Sequence, residues 1–313
     1  MLTDKINSLK ASISEVIVGQ EKAIELLLTA IIADGHVLLE GVPGVAKTLL
    51  AKLTSKLIGA EYGRIQFTPD LMPSDVLGTE VYEQNIAQFR FHKGPVFAQI
   101  VLADEINRAP AKTQAALFEV MEERQVTVAG KTYQMGNLFN IVATQNPIEQ
   151  EGTYRLPEAQ LDRFLCKIVM DYPSAAEEVE ILKRHQNNSH LVKLEDIKQI
   201  LTPADIEEMR EEMKKVIVDE SIMRYIANLT SLTRNSETIY LPASPRAAVS
   251  MMTMAKAYAL IQGRDFVTPD DVRYVTPCVL VHRIQLSTEA EMEGINVNSE
   301  IERLLSTASA ELS

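Results

Sequence analysis

The sequence predicts an α/β fold: a doubly wound, parallel, five-stranded sheet built around a phosphate-binding loop and followed by an all-helical C-terminal part. Three observations predict it. The loop Gly41-Val42-Pro43-Gly44-Val45-Ala46-Lys47-Thr48 joins an apolar run at 36–40 to an amphipathic helical pattern at 49–57, which is the strand, loop and helix order of a P-loop. A second apolar run, 99–103, ends in Asp104-Glu105. Such a run reads as a central strand buried on both faces, with its acids where open α/β sheets bind ligands. From Asp171 the pattern turns helical, and Thr202-Pro203-Ala204-Asp205 and Thr268-Pro269-Asp270-Asp271 repeat one helix start: Thr at the N-cap, Pro in the first turn, acid at N3.

Taken in order, Val16-Ile17-Val18-Gly19-Gln20 is by its own physics a turn before a helix at 21–33. Strands are expected at 37–40, 64–68, 99–103, 139–144 and 164–170, joined mostly by helical crossovers that make neighbours parallel. Two segments interrupt this rhythm. Residues 81–92 alternate polar and aromatic side chains, and 125–133 carry an Ala-Gly-Lys turn; both read as β-hairpins. Among the helices, Ser174-Ala175-Ala176-Glu177 is a capping-box start, Asn187-Asn188-Ser189-His190 reads as a loop, and the Met251-Met252-Thr253-Met254 cluster reads as core filler.

The loop chemistry is direct. Backbone N–H groups at a helix N-terminus can cradle phosphate oxygens. Lys47 would neutralise those oxygens, and the Thr48 hydroxyl suits Mg²⁺, a hard ion that takes few protein ligands. Ala46 stands where the second glycine of such loops is usual, so the loop is expected to keep a negative φ there, because a Cβ penalises left-handed geometry. Asp104 would hold Mg²⁺ through its water shell, and Glu105 would polarise the water that attacks the γ-phosphorus. Asn146, in Gln145-Asn146-Pro147 at the next strand end, could hydrogen-bond both that water and the phosphate. Each feature alone has a plainer reading: a glycine-rich helix start, an acidic pair leaving a strand, and an Asn-Pro turn.

In combination, and with the stretches Gln66-Phe67-Thr68-Pro69-Asp70-Leu71-Met72-Pro73-Ser74-Asp75, Ala103-Asp104-Glu105-Ile106-Asn107-Arg108-Ala109-Pro110 and Leu161-Asp162-Arg163-Phe164, the chain resembles the MoxR family of AAA+ ATPases along essentially its whole length. Alanine before the loop lysine is usual in that family. The resemblance implies an AAA+ nucleotide-binding domain at 1–170, with the two hairpins as insertions, and a linker and helical lid at 171–313. It implies ATP and Mg²⁺ held by Gly41 through Leu49 together with Asp104, and an adenine-side segment containing Gly19 and Gln20. Arg163 looks like an arginine finger supplied to a neighbouring subunit, the alternative being an intrachain partner for Asp162. Arg246, in Ser244-Pro245-Arg246, looks like the sensor 2 arginine that reaches the γ-phosphate. A cation in the first turn opposes the helix dipole, and an anion beside it would reverse the sign. The family further implies a ring, usually hexameric, that drives chaperone-like remodelling or cofactor or metal insertion into a partner protein, often one with a von Willebrand factor A domain. A metal-chelatase motor subunit, a nucleotide-switched scaffold with negligible turnover and a DNA-directed motor are the alternatives. No role follows for Arg155, which stands where relatives more often carry Pro.

Composition narrows these. A chain of 313 residues, 46% hydrophobic and 24% charged, is ordinary globular material large enough for two domains. The net charge of −12 argues against broad nucleic-acid binding. The sequence holds no apolar run long enough to span a bilayer and no signal-peptide pattern at its start, so a cytoplasmic location is expected. Five His and two Cys without clustered spacing suggest no transition-metal site, and Cys166 reads as a buried core thiol.

Overall fold

The computed structural model describes residues 2–147, 154–186 and 196–310. The segment Asn187 to His190, expected as a loop, and Gly152 and Thr153 lie outside the described residues. In chain order the elements begin with α1 (Leu2–Ser14), α2 (Glu21–Ile32), β1 (Val37–Gly41), α3 (Lys47–Ile58), β2 (Tyr62–Gln66) and α4 (Pro73–Leu77). The hairpin β3 (Gly78–Glu83) and β4 (Gln88–Lys93) follows, then β5 (Ile100–Asp104) and α5 (Ala111–Glu123). After the second hairpin, β6 (Gln125–Val128) and β7 (Lys131–Gln134), come β8 (Asn140–Gln145), α6 (Glu158–Leu161) and β9 (Cys166–Met170). The remainder is α7 (Ala175–Gln186), α8 (Pro203–Lys215), α9 (Glu220–Arg234), β10 (Ile239–Leu241), α10 (Pro245–Ile261), α11 (Pro269–Leu280), β11 (Gln285–Leu286), α12 (Thr288–Met292) and α13 (Val297–Ala310).

The five predicted strands form one sheet in the order β2-β5-β8-β1-β9, with every neighbouring pair parallel. Its strand that pairs with β5 at the edge runs over 62–66 rather than 64–68, ending before Pro69, which has no N–H to continue a ladder. Alternate side chains feed two cores. Val37 and Leu39 face one hydrophobic cluster and Leu38 faces the other, as a strand buried on both faces requires. Cys166 is fully buried, and the neighbouring Cys278 thiol together with burial pushes its ionisation well up, so it is inert core.

Both insertions are hairpins, the first three residues longer at its start than expected. The second turns on Ala129 and Gly130, both at positive φ (50° and 77°), which suits a two-residue turn between twisted strands. Phe91 of β4 stacks on Tyr133 of β7 at 4.6 Å, and Phe97 meets both rings edge-on. The hairpins are therefore packed against each other rather than independent.

The helix starts follow the sequence. Thr202 and Thr268 form capping boxes with Asp205 and Asp271, and Ser174 does so with Glu177. Ser244 holds the N-cap position of α10 but leaves its helix uncapped; its hydroxyl donates instead to Asp162 Oδ2 at 3.1 Å. Met251 and Met254 are fully buried, as core filler should be. Arg210 of α8 reaches into the base of the sheet, donating to the carbonyls of Ile31 and Asn137 and to Asn140 Oδ1, and pairs with Asp34 at 2.8 Å. Burial depresses its ionisation, and Asp34 opposes that shift.

His36, immediately before β1, shows the cost of a buried titratable group. One ring nitrogen accepts from Ile141 N at 2.9 Å and the other donates to Met121 O at 3.2 Å. Burial lowers its pKa from 6.5 to about 4, so the folded state keeps it neutral. The unfolded chain takes up a proton first, and stability is lost as pH falls through this window. His36 alone should remove about 2 kcal/mol between pH 7 and pH 5. Urea unfolding across that range tests this, and a pH-independent midpoint would count against it.

Candidate nucleotide-binding site

The carboxyl ends of β1, β8, β5 and β2 lie flush: Glu40 stands beside Gln145, and Gln66 beside Asp104. The loop after β1 therefore faces the acids after β5, with Asn146 between them at the end of β8. Ala46 occupies the N-cap of α3 at φ 66°, ψ 23°, and no side chain caps this helix. The expected negative φ is thus corrected. A left-handed residue turns the loop so that it enters α3 with its first N–H groups uncapped by side chains. The Cβ penalty, on the order of 1 kcal/mol, is the kind of local strain that functional loops hold. Gly44 is also left-handed (φ 90°), and a Cβ there would meet open space, so its glycine answers to backbone conformation rather than to crowding. Lys47 folds back onto the loop, donating to the carbonyls of Gly41 and Val42.

The Thr48 hydroxyl lies 3.4 Å from Asp104 Oδ2. These are two hard oxygens, and among the described residues no group of three or more His, Cys, Asp or Glu could hold a metal. That donor set fits Mg²⁺, which takes one or two protein ligands and completes its shell with phosphate and water. Thr144 secures the acids from behind: its hydroxyl donates to Asp104 Oδ1 at 2.7 Å and accepts from Glu105 N at 2.8 Å. Glu105 itself is left-handed (φ 57°). Asp104 and Asn146 are almost fully buried.

Three polar partners escaped the sequence reading. Arg64 donates to Asp104 Oδ2 at 2.7 Å, the oxygen that Thr48 also approaches. Gln66 donates to Glu105 Oε2 at 3.0 Å, and Arg108 pairs with the same oxygen at 3.3 Å. The signal was present as Arg64-Ile65-Gln66, two polar side chains on one face of a strand. Only the pairing of β2 with β5 gives that face a meaning. On the opposite flank, Gly19 sits at φ 74°, where a Cβ would lie 2.6 Å from the Glu177 carboxyl carbon. The Gln20 side chain is turned to Asp171 O at 3.0 Å, tying this segment to the chain leaving β9. Arg155 forms a loose surface pair with Glu158 at 3.7 Å.

Arg163 and Arg246 lie elsewhere. Arg163 comes just before β9 and donates to Phe118 O at 2.6 Å while pairing with Glu122 at 2.9 Å. Arg246 pairs with the other oxygen of Glu122 at 3.2 Å. Glu122 and its neighbour Met121 end α5 beside His36, at the amino end of β1. Both arginines thus sit at the opposite edge of the sheet from the loop, a strand length or roughly 15 Å away at about 3.3 Å per residue. This placement bears on both arginines. Arg246 does not reach the phosphate site of its own chain, because α10 is fastened to the far edge through Ser244 and Asp162. Asp162 is not the partner of Arg163, because the buried Arg283 takes it at 2.7 Å and also donates to Phe164 O and Leu165 O.

Residues 36–166 match the ATPase family associated with various cellular activities, and residues 231–304 match the AAA lid domain. The chain is 44% identical to Chaperone MoxR1 of Mycobacterium tuberculosis over 98% of its own length and 83% of that protein's. It is 46% identical to the uncharacterized protein YeaC of Bacillus subtilis over 94% of this chain and 91% of that one. A solved Cytophaga hutchinsonii protein, described as a candidate ATPase, superposes with a TM-score of 0.89 at 43% identity, covering 97% of this chain and 94% of its own. With the match running through both the sheet and the helical lid, the chain belongs to the MoxR family of AAA+ ATPases.

Proposed function

We propose that the protein hydrolyses ATP with Mg²⁺ and couples turnover to chaperone-like remodelling of a partner protein. The observation that carries the reading is the convergence of Lys47, Thr48, Asp104, Glu105 and Asn146 at one sheet edge, with Thr48 facing Asp104 across 3.4 Å. The loop N–H groups and Lys47 bind the phosphates once Lys47 leaves the loop carbonyls. Thr48 and Asp104 would hold Mg²⁺, which neutralises charge on the phosphate oxygens. Arg64 must give up Asp104 Oδ2 for that. Glu105 accepts a proton from the attacking water, and Asn146 orients it. Gln66 and Arg108 hold the Glu105 carboxylate, so their release is part of bringing the base to the water.

The two arginines at the far edge support assembly. Their distance from their own loop supports service to the nucleotide of another copy, in a ring, six-membered by family resemblance, with residues 1–170 as the nucleotide domain and 171–313 as linker and lid. Insertion of a cofactor or metal into a partner bearing a von Willebrand factor A domain is the narrower form of the same proposal. Among the described residues no helix is long and apolar enough to cross a membrane. Lys47→Ala tests the reading. It removes a charge-assisted phosphate contact, so fluorescent-nucleotide titration should show a loss of affinity of at least tenfold and steady-state hydrolysis should vanish. Wild-type affinity and turnover would remove the phosphate-site assignment.

A further inference from the structure

Glu122 is placed between two cations that belong to different parts of the molecule. One oxygen faces Arg163, just before β9, and the other faces Arg246, in the first turn of α10. Arg163 has a second anchor in Phe118 O. Arg246, with a side chain 59% exposed, is held among the described residues by Glu122. Behind them, Asp162 ties Ser244 of the α10 N-cap to the buried Arg283. A cavity of about 500 Å³ opens beside the pair, walled by Arg124, Arg163, Arg246 and Arg283 as well as by Glu122.

We infer that Glu122 is a positioning residue that holds Arg163 and Arg246 side by side, as one two-guanidinium unit offered to the triphosphate of a neighbouring copy. The inference rests on the reading that these arginines act between subunits. Two guanidinium groups repel each other, and without a shared counter-ion the exposed one is free to swing into water. A carboxylate bridges them because each oxygen accepts from one arginine. An amide cannot, since its NH₂ would face a second donor. An exposed ion pair adds little to folding, but prior placement of groups that meet a transferring phosphoryl is a major source of rate. Glu122 therefore matters to turnover and hardly to stability.

The test is Glu122→Gln in the full chain. Its own ATP affinity should stay within twofold of wild type and its melting temperature within about two degrees, while kcat falls about tenfold. Mixed with Lys47→Ala, which keeps Glu122 and both arginines but lacks a working loop, it should regain activity, because the defect lies in what a subunit gives rather than in what it binds. A purely structural role would not be rescued in this way. Arg163→Ala mixed with Lys47→Ala is run alongside. If that control is rescued while Glu122→Gln retains wild-type kcat, or loses kcat without rescue, the assignment of Glu122 is overturned and action between subunits stands. If neither mixture is rescued although labelled subunits co-assemble, action between subunits falls and Glu122 falls with it.

Discussion

Arg163→Ala is expected to lower turnover by roughly 10³-fold or more while leaving ATP affinity near wild type, because arginines supplied from a neighbour contribute on the order of 10³–10⁵ in rate to phosphoryl transfer. The side chain stands at the far edge of its own sheet, paired with Glu122 and Phe118 O, so its own bound nucleotide does not sense it. What is lost is a planar fork suited to charge spread over the transferring phosphoryl group. Stability should change little, since the ion pair is partly exposed. Steady-state hydrolysis, a binding titration and a melting curve separate these outcomes. Full activity in the variant ends the assignment. A fall in affinity equal to the fall in turnover would place the arginine on the nucleotide of its own subunit, against the geometry.

Glu105→Gln is expected to bind ATP with near-normal affinity and to hydrolyse it 10²–10⁴ times more slowly, the usual contribution of a positioned general base. The amide keeps the volume and can still accept from Gln66 or Arg108, so the left-handed backbone at this residue need not change. What it lacks is the basicity to take a proton from water. ATP should therefore remain uncleaved on the protein, and the assembled species should persist on a sizing column with ATP. Turnover equal to wild type would show that another group takes the proton.

Much of the fold was legible because its signals are local. The apolar runs at 100–103 and 141–143, inside the strands at 100–104 and 140–145, fit strands covered on both faces or buried helix, and their length decides for strands. Thr202 and Thr268 announce their helices through side-chain bonds made within three residues. The site was legible to the extent that its residues lie at a strand end or open the helix that follows it. What stayed hidden depends on packing between distant segments. Ala46 takes a strained φ that its side chain does not favour, because the loop as a whole dictates it. Arg64 and Gln66 became partners of the acids only through strand order. The location of Arg246 follows from how α10 docks, through a Ser244 hydroxyl that sequence rules assign to capping. Glu122 looked like one acid in an acidic helix end, and nothing near it in sequence names its two partners.

The separation of the phosphate loop from the paired arginines across the sheet gives each subunit a polarity. If the arginines act between copies as proposed, one edge accepts and the other donates, on two different surfaces. A two-fold dimer needs donor and acceptor in one self-complementary patch, whereas groups set on opposite ends of the sheet suit a head-to-tail contact. Contacts of this head-to-tail kind either close on themselves or run on as an open helix. In a ring built as proposed, every subunit would receive from one side and give to the other, so a change at one nucleotide would be passed round the assembly in a single sense, set by the docking of α10 on the amino edge of the sheet. An open chain of the same subunits would keep one loop without a donor and one pair of arginines without a recipient.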